Sequence, residues 1–313
     1  VLDSQLDRQQ LAVNVTATTL WVTPDAPRDV DAPMLAAVPD PHAWATTLTR
    51  EQKLDLFNRV HSQLLLGEPV VVVEERGDWL SVVSPWQPSD KDPDGYPGWV
   101  RREHLAAPAP VTADREAVVA VEATSYVTAG GSRVASYGTV LPVVSADDDV
   151  VRVALPGDEA GKLRRSACVL SPVTDGNRDR PVSAAAVLAT ARRFAGLEYL
   201  WGGTSAYGLD CSGLVHLSFR ALGKVVPRDG HDQATAAQDL PLAEAQAGDL
   251  LFFARPGRGI HHVGICTGRV DGELRMLHAP GTGNPVVEET LNADRRATLL
   301  PTAGRLTTSS EQA

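Results

Sequence analysis

Apolar positions change their spacing along this chain, and the changes divide it. Residues 66–105 carry short apolar runs broken by turns. Residues 69–73, 79–83 and 98–100 read as strands. Short strands at such spacing predict a small β-barrel. Its first strand is expected at residues 12–22. Between these strands, Leu54, Phe57 and Val60 recur as on one face of an amphipathic helix. Residues 40–66 therefore read as a long helical insertion in a barrel loop, and loops of that length are usually functional. A second, smaller barrel is expected from the runs at 118–127, 140–144 and 150–155, separated by Gly130-Gly131, Asp147 to Asp149 and Gly157. Residues 171–181 form a polar linker ending at Pro181. Beyond it the period becomes helical. Ser183 is a natural N-cap for a helix running to about Ala195, and Gly196 stops it.

The next helical stretch carries the chemistry. Cys211 stands behind a glycine-rich loop, with Val215, Ser218, Phe219 and Leu222 following at helical spacing and Gly223 at the stop. A cysteine in a first helical turn feels the positive end of the helix dipole, which favours the thiolate. Such a thiol needs a base. His262 and His278 lie in two β-rich runs with Asp271-Gly272, a hairpin signal, between them. Their even separation is read as allowing them to share one sheet face, where one imidazole would take the thiol proton and the other would orient it. His261 would point to the opposite face. Alone, a buried cysteine is more often a core residue, and a strand histidine is usually structural. The order Cys, His, His across a helix and a hairpin is more specific. Cys266 shares the parity of His262, with a core position as its plainer reading.

These residues carry a resemblance. Asp210-Cys211-Ser212-Gly213-Leu214-Val215, His262-Val263-Gly264-Ile265 and His278-Ala279 resemble the NlpC-type cell-wall cysteine peptidases, a papain-like family. Pro227-Arg228-Asp229 and Gly248-Asp249-Leu250-Leu251-Phe252-Phe253 fit the same pattern. The likeness covers about residues 183–303. In the barrel regions, Gly77-Asp78-Trp79 followed by Gly98-Trp99-Val100 resembles bacterial SH3-like domains. The expected fold is multi-domain, with two small SH3-like β-barrels followed by an α+β papain-like peptidase domain. The expected boundaries are 1–107, 108–172, a linker at 173–182, and 183–313.

Composition narrows the partners. The 313 residues suffice for two or three domains, and a net charge of −10 disfavours nucleic acid and anionic membrane. No apolar run is long enough to span a bilayer. Three cysteines, Cys168, Cys211 and Cys266, form neither a metal spacing nor a disulfide framework. The polar start of the chain lacks a signal peptide and an initiator Met. It fits a cytoplasmic protein if the chain is complete, and a cell-envelope or secreted one if a leader was removed. Neither metal nor organic cofactor is expected, and the oligomeric state is not read.

Two SH3-like domains ahead of the catalytic one resemble the dipeptidyl-peptidase VI branch. That resemblance implies cleavage of γ-D-glutamyl–L-diamino acid bonds in murein peptides with a free N-terminal L-alanine, the first barrel reading the amine. Tyr96 matches the branch tyrosine that lines the cleft; packing on Trp99 is the alternative. An ammonium also needs an acidic partner. Glu68 is the candidate, Glu74 and Glu75 are rivals, and a solvated carboxylate is the alternative. The family pattern assigns Asp210 and Ser212 to the substrate's L-alanine and D-glutamate parts, and Asp210 also suits a helix cap. Arg228 and Asp229 follow a turn proline. The family's serine after this pair is Gly230 here, which leaves Arg228 as a carboxylate receptor or as an ion-pair partner of Asp229 or a neighbour. Tyr199 resembles a family tyrosine near the oxyanion. Rival readings are a wall-binding SH3 protein with an inactive peptidase domain, and a wall-lytic hydrolase acting on intact peptidoglycan.

Overall fold

In the computed structural model, described for residues 8–109, 113–173 and 179–308, the short strands of the first half pair into two seven-stranded antiparallel sheets. Residues 1–7, on which the leader reading rests, and 174–178 of the expected linker lie outside the described residues. The chain divides into two units, residues 1–86 with 91–176, and residues 87–90 with 177–313.

The first sheet contains β1 (Gln10–Val13), β2 (Ala17–Trp21), β3 (Val60–Leu65), β4 (Pro69–Arg76), β5 (Trp79–Ser84), β6 (Tyr96–Arg101) and β7 (Leu105–Ala106). The second contains β8 (Arg115–Val119), β9 (Ala123–Thr128), β10 (Gly131–Ser136), β11 (Val140–Ala146), β12 (Val150–Leu155), β13 (Glu159–Arg164) and β14 (Cys168–Pro172). Their spatial orders are β3-β2-β6-β5-β4-β1-β7 and β10-β9-β13-β12-β11-β8-β14. Each strand of the second sheet has its counterpart seven places earlier, so the two sheets share one topology. Strict alternation of buried and exposed side chains in β9 shows how one face is buried. Val13, Leu20, Leu64, Val70, Leu80 and Val100 fill the first core; Val119, Tyr126, Leu141, Val153 and Leu163 fill the second.

Three expectations need correction here. Residues 12–22 and 118–127 are each two strands, because turns at 14–16 and 120–122 interrupt the apolar runs. The segment between β2 and β3 holds three short helices, α1 (Ala32–Leu35) ahead of residues 40–66 and α2 (Pro41–Thr47) and α3 (Arg50–Asp55) within them, and then β3. Helix α3 starts at a Thr49 capping box with Gln52 and ends before Val60, which opens a strand. Leu54 and Phe57 are 48% and 61% exposed, so their helical spacing does not mark a buried face, whereas Leu56 is fully buried. The insertion is held instead by Asp31, whose buried carboxylate accepts from Arg28 and from the Trp44 indole at 2.8 Å.

The second unit is α+β. Helix α4 (Ala184–Arg192) begins at Ser183, whose hydroxyl accepts from the Ala186 amide. A two-stranded ribbon, β15 (Thr204–Ser205) and β16 (Gly208–Leu209), leads into α5 (Cys211–Arg220) and then α6 (Gly230–Ala236). A six-stranded antiparallel sheet follows, in the order β17-β22-β18-β19-β20-β21. Its strands are β17 (Gln238–Pro241), β18 (Leu250–Ala254), β19 (Ile260–Val270), β20 (Glu273–His278), β21 (Val287–Thr290) and β22 (Leu299–Arg305), with α7 (Ala293–Thr298) before the last. Cys266 lies in the core of this sheet with Leu251, Phe253 and Met276, which settles it as a packing residue. All three cysteines are free. Among the described residues no helix is long and apolar enough to cross a membrane.

Candidate active site

Helix α5 begins at the expected cysteine. Asp210 is its N-cap and accepts from the Gly213 amide at 2.7 Å. Gly213 lets this turn approach the preceding loop, since a Cβ there would stand 2.1 Å from the Gly203 carbonyl oxygen. Cys211 keeps partial exposure, while the helix behind it is buried from Ser212 to Arg220.

The expectation of an acidified thiol is not met. Burial, and after it the Asp210 charge, push the Cys211 thiol up to about 12. Backbone hydrogen bonds from Val263 and Ser212 pull the other way without prevailing. The helix end is therefore outweighed by desolvation and by its own capping carboxylate. The Val263 bond also locates the thiol beside the strand that carries His262.

His262 and His278 meet, with Nε2 of His262 2.7 Å from Nδ1 of His278 and the rings edge-on. Both are buried, whereas His261 is exposed. The hairpin is as expected: Asp271 and Gly272 have φ of 51° and 82°, the left-handed pair that closes a two-residue turn. An even separation does not by itself put the two histidines on one face. The turn pairs Val270 with Glu273, and in that register His278 would oppose Ile265 and face away from His262. A β-bulge between Cys266 and Gly268 shifts the pairing, so that Ile265 opposes Leu277 and His278 reaches the face of His262. Even spacing in a regular ladder separates the histidines; leaving Thr267 unpaired in the bulge brings them together.

Both imidazoles are held neutral. Burial, then the Arg295 charge, depress His278 to about 3 and hold His262 well below the usual histidine range. The guanidinium of Arg295, on α7, donates to the Pro280 carbonyl at 2.9 Å and lies over the Phe253 ring; Phe253 pairs with His262. On its other side, His278 Nε2 lies 3.1 Å from Oε1 of Glu289, on β21. Arg295 and Glu289 escaped the sequence reading, because neither lies in a motif.

A second polar group lies at the helix start. Arg228, 1% exposed, donates to Asp210 Oδ2 at 2.6 Å, Asp210 Oδ1 at 3.0 Å and Ser212 Oγ at 2.9 Å. Its ion-pair partner is thus Asp210, which keeps its cap as well. Asp229 stands at the N-cap position of α6 without making the cap hydrogen bond through its side chain. At Gly230 a Cβ would meet only ordinary contacts, the nearest Val263 Cγ1 at 3.6 Å, so the backbone would admit the family's serine. Tyr199 is buried, and burial followed by the charges of Cys211 and Asp210 raises its phenol well above 10, so it remains a donor.

The first unit holds the remaining candidates. Glu68 is not solvated. It is fully buried, accepting from the Leu65 amide at 3.0 Å and from the Ser84 hydroxyl at 3.0 Å. Ser84 pairs across the sheet with Tyr96. Tyr96 is buried, edge-on to His61 at 6.0 Å and beneath the Lys91 ammonium at 4.5 Å, and Trp99 lies on the other face of its strand. Glu74 and Glu75 are exposed and face Arg76 and Arg102. Among the described residues, one set of metal-capable side chains converges, Asp90, His231 and Asp232, within 4.8 Å of one another.

The NlpC/P60 family profile matches residues 196–300. The chain is 37% identical to the γ-D-glutamyl-L-lysine dipeptidyl-peptidase of Bacillus subtilis, over 85% of this chain and 88% of that protein. Its identity to the protein of the same name from Bacillus cereus is 34%, over 86% of this chain and 82% of that one. The crystal structure of an NlpC/P60 family protein from Bacillus cereus superposes with a TM-score of 0.88 at 29% identity, covering 96% of this chain and all of that one. The likeness extends far beyond the cysteine and histidine motifs, and the chain belongs to the NlpC/P60 family.

Proposed function

We propose that this protein is a cysteine endopeptidase that hydrolyses the γ-D-glutamyl–L-diamino acid bond of murein peptides bearing a free N-terminal L-alanine. The contact between His262 and His278, on the strand whose Val263 amide bonds the Cys211 sulfur, carries the reading. Two relatives named γ-D-glutamyl-L-lysine dipeptidyl-peptidase, similar over most of this chain, support the substrate class.

In the free enzyme both thiol and imidazole are neutral. Cys211 Sγ attacks the amide carbonyl as its proton passes to His262, which then protonates the leaving amine. The Cys211 amide and the Tyr199 phenol stabilise the oxyanion. Water then hydrolyses the acyl-enzyme, with His262 as base. Asp210 and Ser212, held by Arg228, face the L-alanine and D-glutamate parts. Arg228 is committed to those two residues, so its role is to orient them.

The seven-stranded sheets are read as SH3-like barrels over residues 1–107 and 108–172, joined by the linker at 173–182 to a peptidase domain at 183–313. In the first, Glu68 and Tyr96 read the ammonium. Its buried carboxylate, where the alternative required a solvated one, supports this assignment.

Synthetic L-Ala-γ-D-Glu-diamino acid peptides test the proposal. Cys211→Ala should abolish cleavage with an unchanged fold by circular dichroism. N-acetylation removes the charge and adds bulk where an ammonium is expected. Losing a buried charged hydrogen bond is worth about 2–5 kcal/mol, so kcat/KM should fall by roughly a hundredfold or more. Equal cleavage of acetylated and free peptides would replace this reading with a wall-lytic hydrolase, and activity in Cys211→Ala would remove the nucleophile.

A further inference from the structure

The catalytic histidines continue into a third group that the motifs do not contain. His278 Nδ1 lies 2.7 Å from His262 Nε2, and His278 Nε2 lies 3.1 Å from the Glu289 carboxylate. We propose that Glu289 is a positioning residue that fixes the tautomers of both histidines and stabilises the imidazolium formed during attack. The inference rests on Cys211 and His262 being nucleophile and base.

A carboxylate accepts and does not donate. Its contact with His278 Nε2 therefore requires an N–H there, and the neutral His278 ring then has a lone pair at Nδ1. That lone pair can only accept, so His262 carries its proton on Nε2. His262 Nδ1 is left as the basic nitrogen, the one able to take the Cys211 proton. In the opposite arrangement His278 would donate from Nδ1, and His262 would hold its proton on Nδ1, where it blocks transfer from the thiol. Two neutral imidazoles in contact have no preference of their own between these states. An acceptor at the far end selects one.

Charge adds to geometry. The groups facing His278 are His262 from β19, Glu289 from β21 and, through its charge, Arg295 from α7. His261 and Arg295 also bear on His262. Arg295 opposes protonation of the pair, while Glu289 is the negative group in contact with it. When the thiol proton moves to His262 Nδ1, the new positive charge is shared along the contact with His278 towards Glu289. No atom is lost: the proton returns from Nδ1 to the leaving amine. A side chain at a sheet edge suffices because His278 itself is fully buried.

Glu289→Gln and Glu289→Leu separate the two contributions. Glutamine keeps an acceptor oxygen and loses the charge. Leucine loses both. Glu289→Leu should lower kcat by roughly tenfold or more with KM little changed, as expected for removal of part of the acid–base machinery. Glu289→Gln should retain most of kcat, and its acid limb should move to lower pH because the histidine pair protonates less readily without the carboxylate. Iodoacetamide alkylation of Cys211 across pH, measured by mass spectrometry, reads the same relay without substrate. Preferential labelling of Cys211 over Cys168 and Cys266 reports on the nucleophile; loss of that preference in the wild type would overturn the proposed function itself. If Cys211 is preferred but Glu289→Leu matches the wild type in kcat and in both pH profiles, the Glu289 inference fails alone. Loss of kcat in Glu289→Leu with a lowered melting temperature, and with the Glu289→Gln profile unshifted, would also overturn it, leaving Glu289 as a sheet-edge contact.

Discussion

The two seven-stranded sheets of the first unit share a topology, and they differ in the polarity of one corner. Gly67 and Gly138 occupy the same turn with φ of 81° and 78°. In both, the following residue accepts from the neighbouring strand: Val13 of β1 donates to the Glu68 carbonyl and Val119 of β8 to the Thr139 carbonyl. Glu68 and Thr139 are thus counterparts. Across the sheet Ser84 pairs with Tyr96, as Leu155 pairs with Glu159. The first corner has a carboxylate met by a hydroxyl. The second has threonine at the position of the glutamate and leucine at the position of the serine, and the Thr139 hydroxyl is buried without a partner. The lesson is that the backbone makes no demand for acid at this turn. A buried carboxylate is retained in one copy at a desolvation cost that the other copy avoids, which is what a ligand-reading role would require.

The largest effect should come from forcing the second corner to copy the first. Thr139→Glu buries a carboxylate with leucine where the serine would be. It should destabilise the protein by about 3–5 kcal/mol, read as a fall in melting temperature. A stable variant would show that the corner tolerates acid without function, and would break the comparison. Next, Glu68→Gln keeps an acceptor for Leu65 and Ser84 and removes the charge. Cleavage of the free-amine peptide should drop by roughly a hundredfold, while the acetylated peptide should be cut no more slowly than before. Gly67→Ala and Gly138→Ala each force a side chain into left-handed backbone, costing about 1–2 kcal/mol. In Gly67→Ala the methyl would also stand 2.8 Å from the Val140 carbonyl oxygen. Both melting temperatures should fall, and an unchanged value for Gly67→Ala would contradict this. The smallest change is Thr139→Val, which removes the unpartnered hydroxyl and should be neutral or stabilising by about 1 kcal/mol in denaturant titration.

Local signals made much of this legible. Asp210 before Cys211, Gly223 after the helix and Asp271-Gly272 in the hairpin each act within a few residues, and the structure follows them. Failures came where a distant partner decides. The Thr49–Val60 spacing looks helical, yet pairing with β2 draws Val60 into a strand. The helix end alone predicts an acidified thiol, while burial and Asp210 dominate it. Arg228 finds Asp210 across 18 positions, and His278 finds Glu289 across a turn, pairings that sequence spacing does not specify. The bulge did leave a trace, because Gly268 interrupts a strand pattern and has φ of 113°. The duplication was visible only as two weakly similar runs, since shared topology survives when most side chains differ.

The bulge at Thr267 has a consequence for genomes. Loss of that single codon would leave the cysteine, both histidines and every quoted motif in place and in frame. It would also leave the ladder as it is, with Cys266 opposite Met276 and Gly268 opposite Arg275, so His278 would keep the face of His262. An even interval between the histidines with no bulge would instead turn His278 to the opposite side of the sheet. Such a chain would pass motif inspection as an active peptidase and fail an assay with the free-amine peptide. Interval and bulge therefore count together: an odd spacing with a regular ladder, or an even spacing with one residue left out of it, gives the same site.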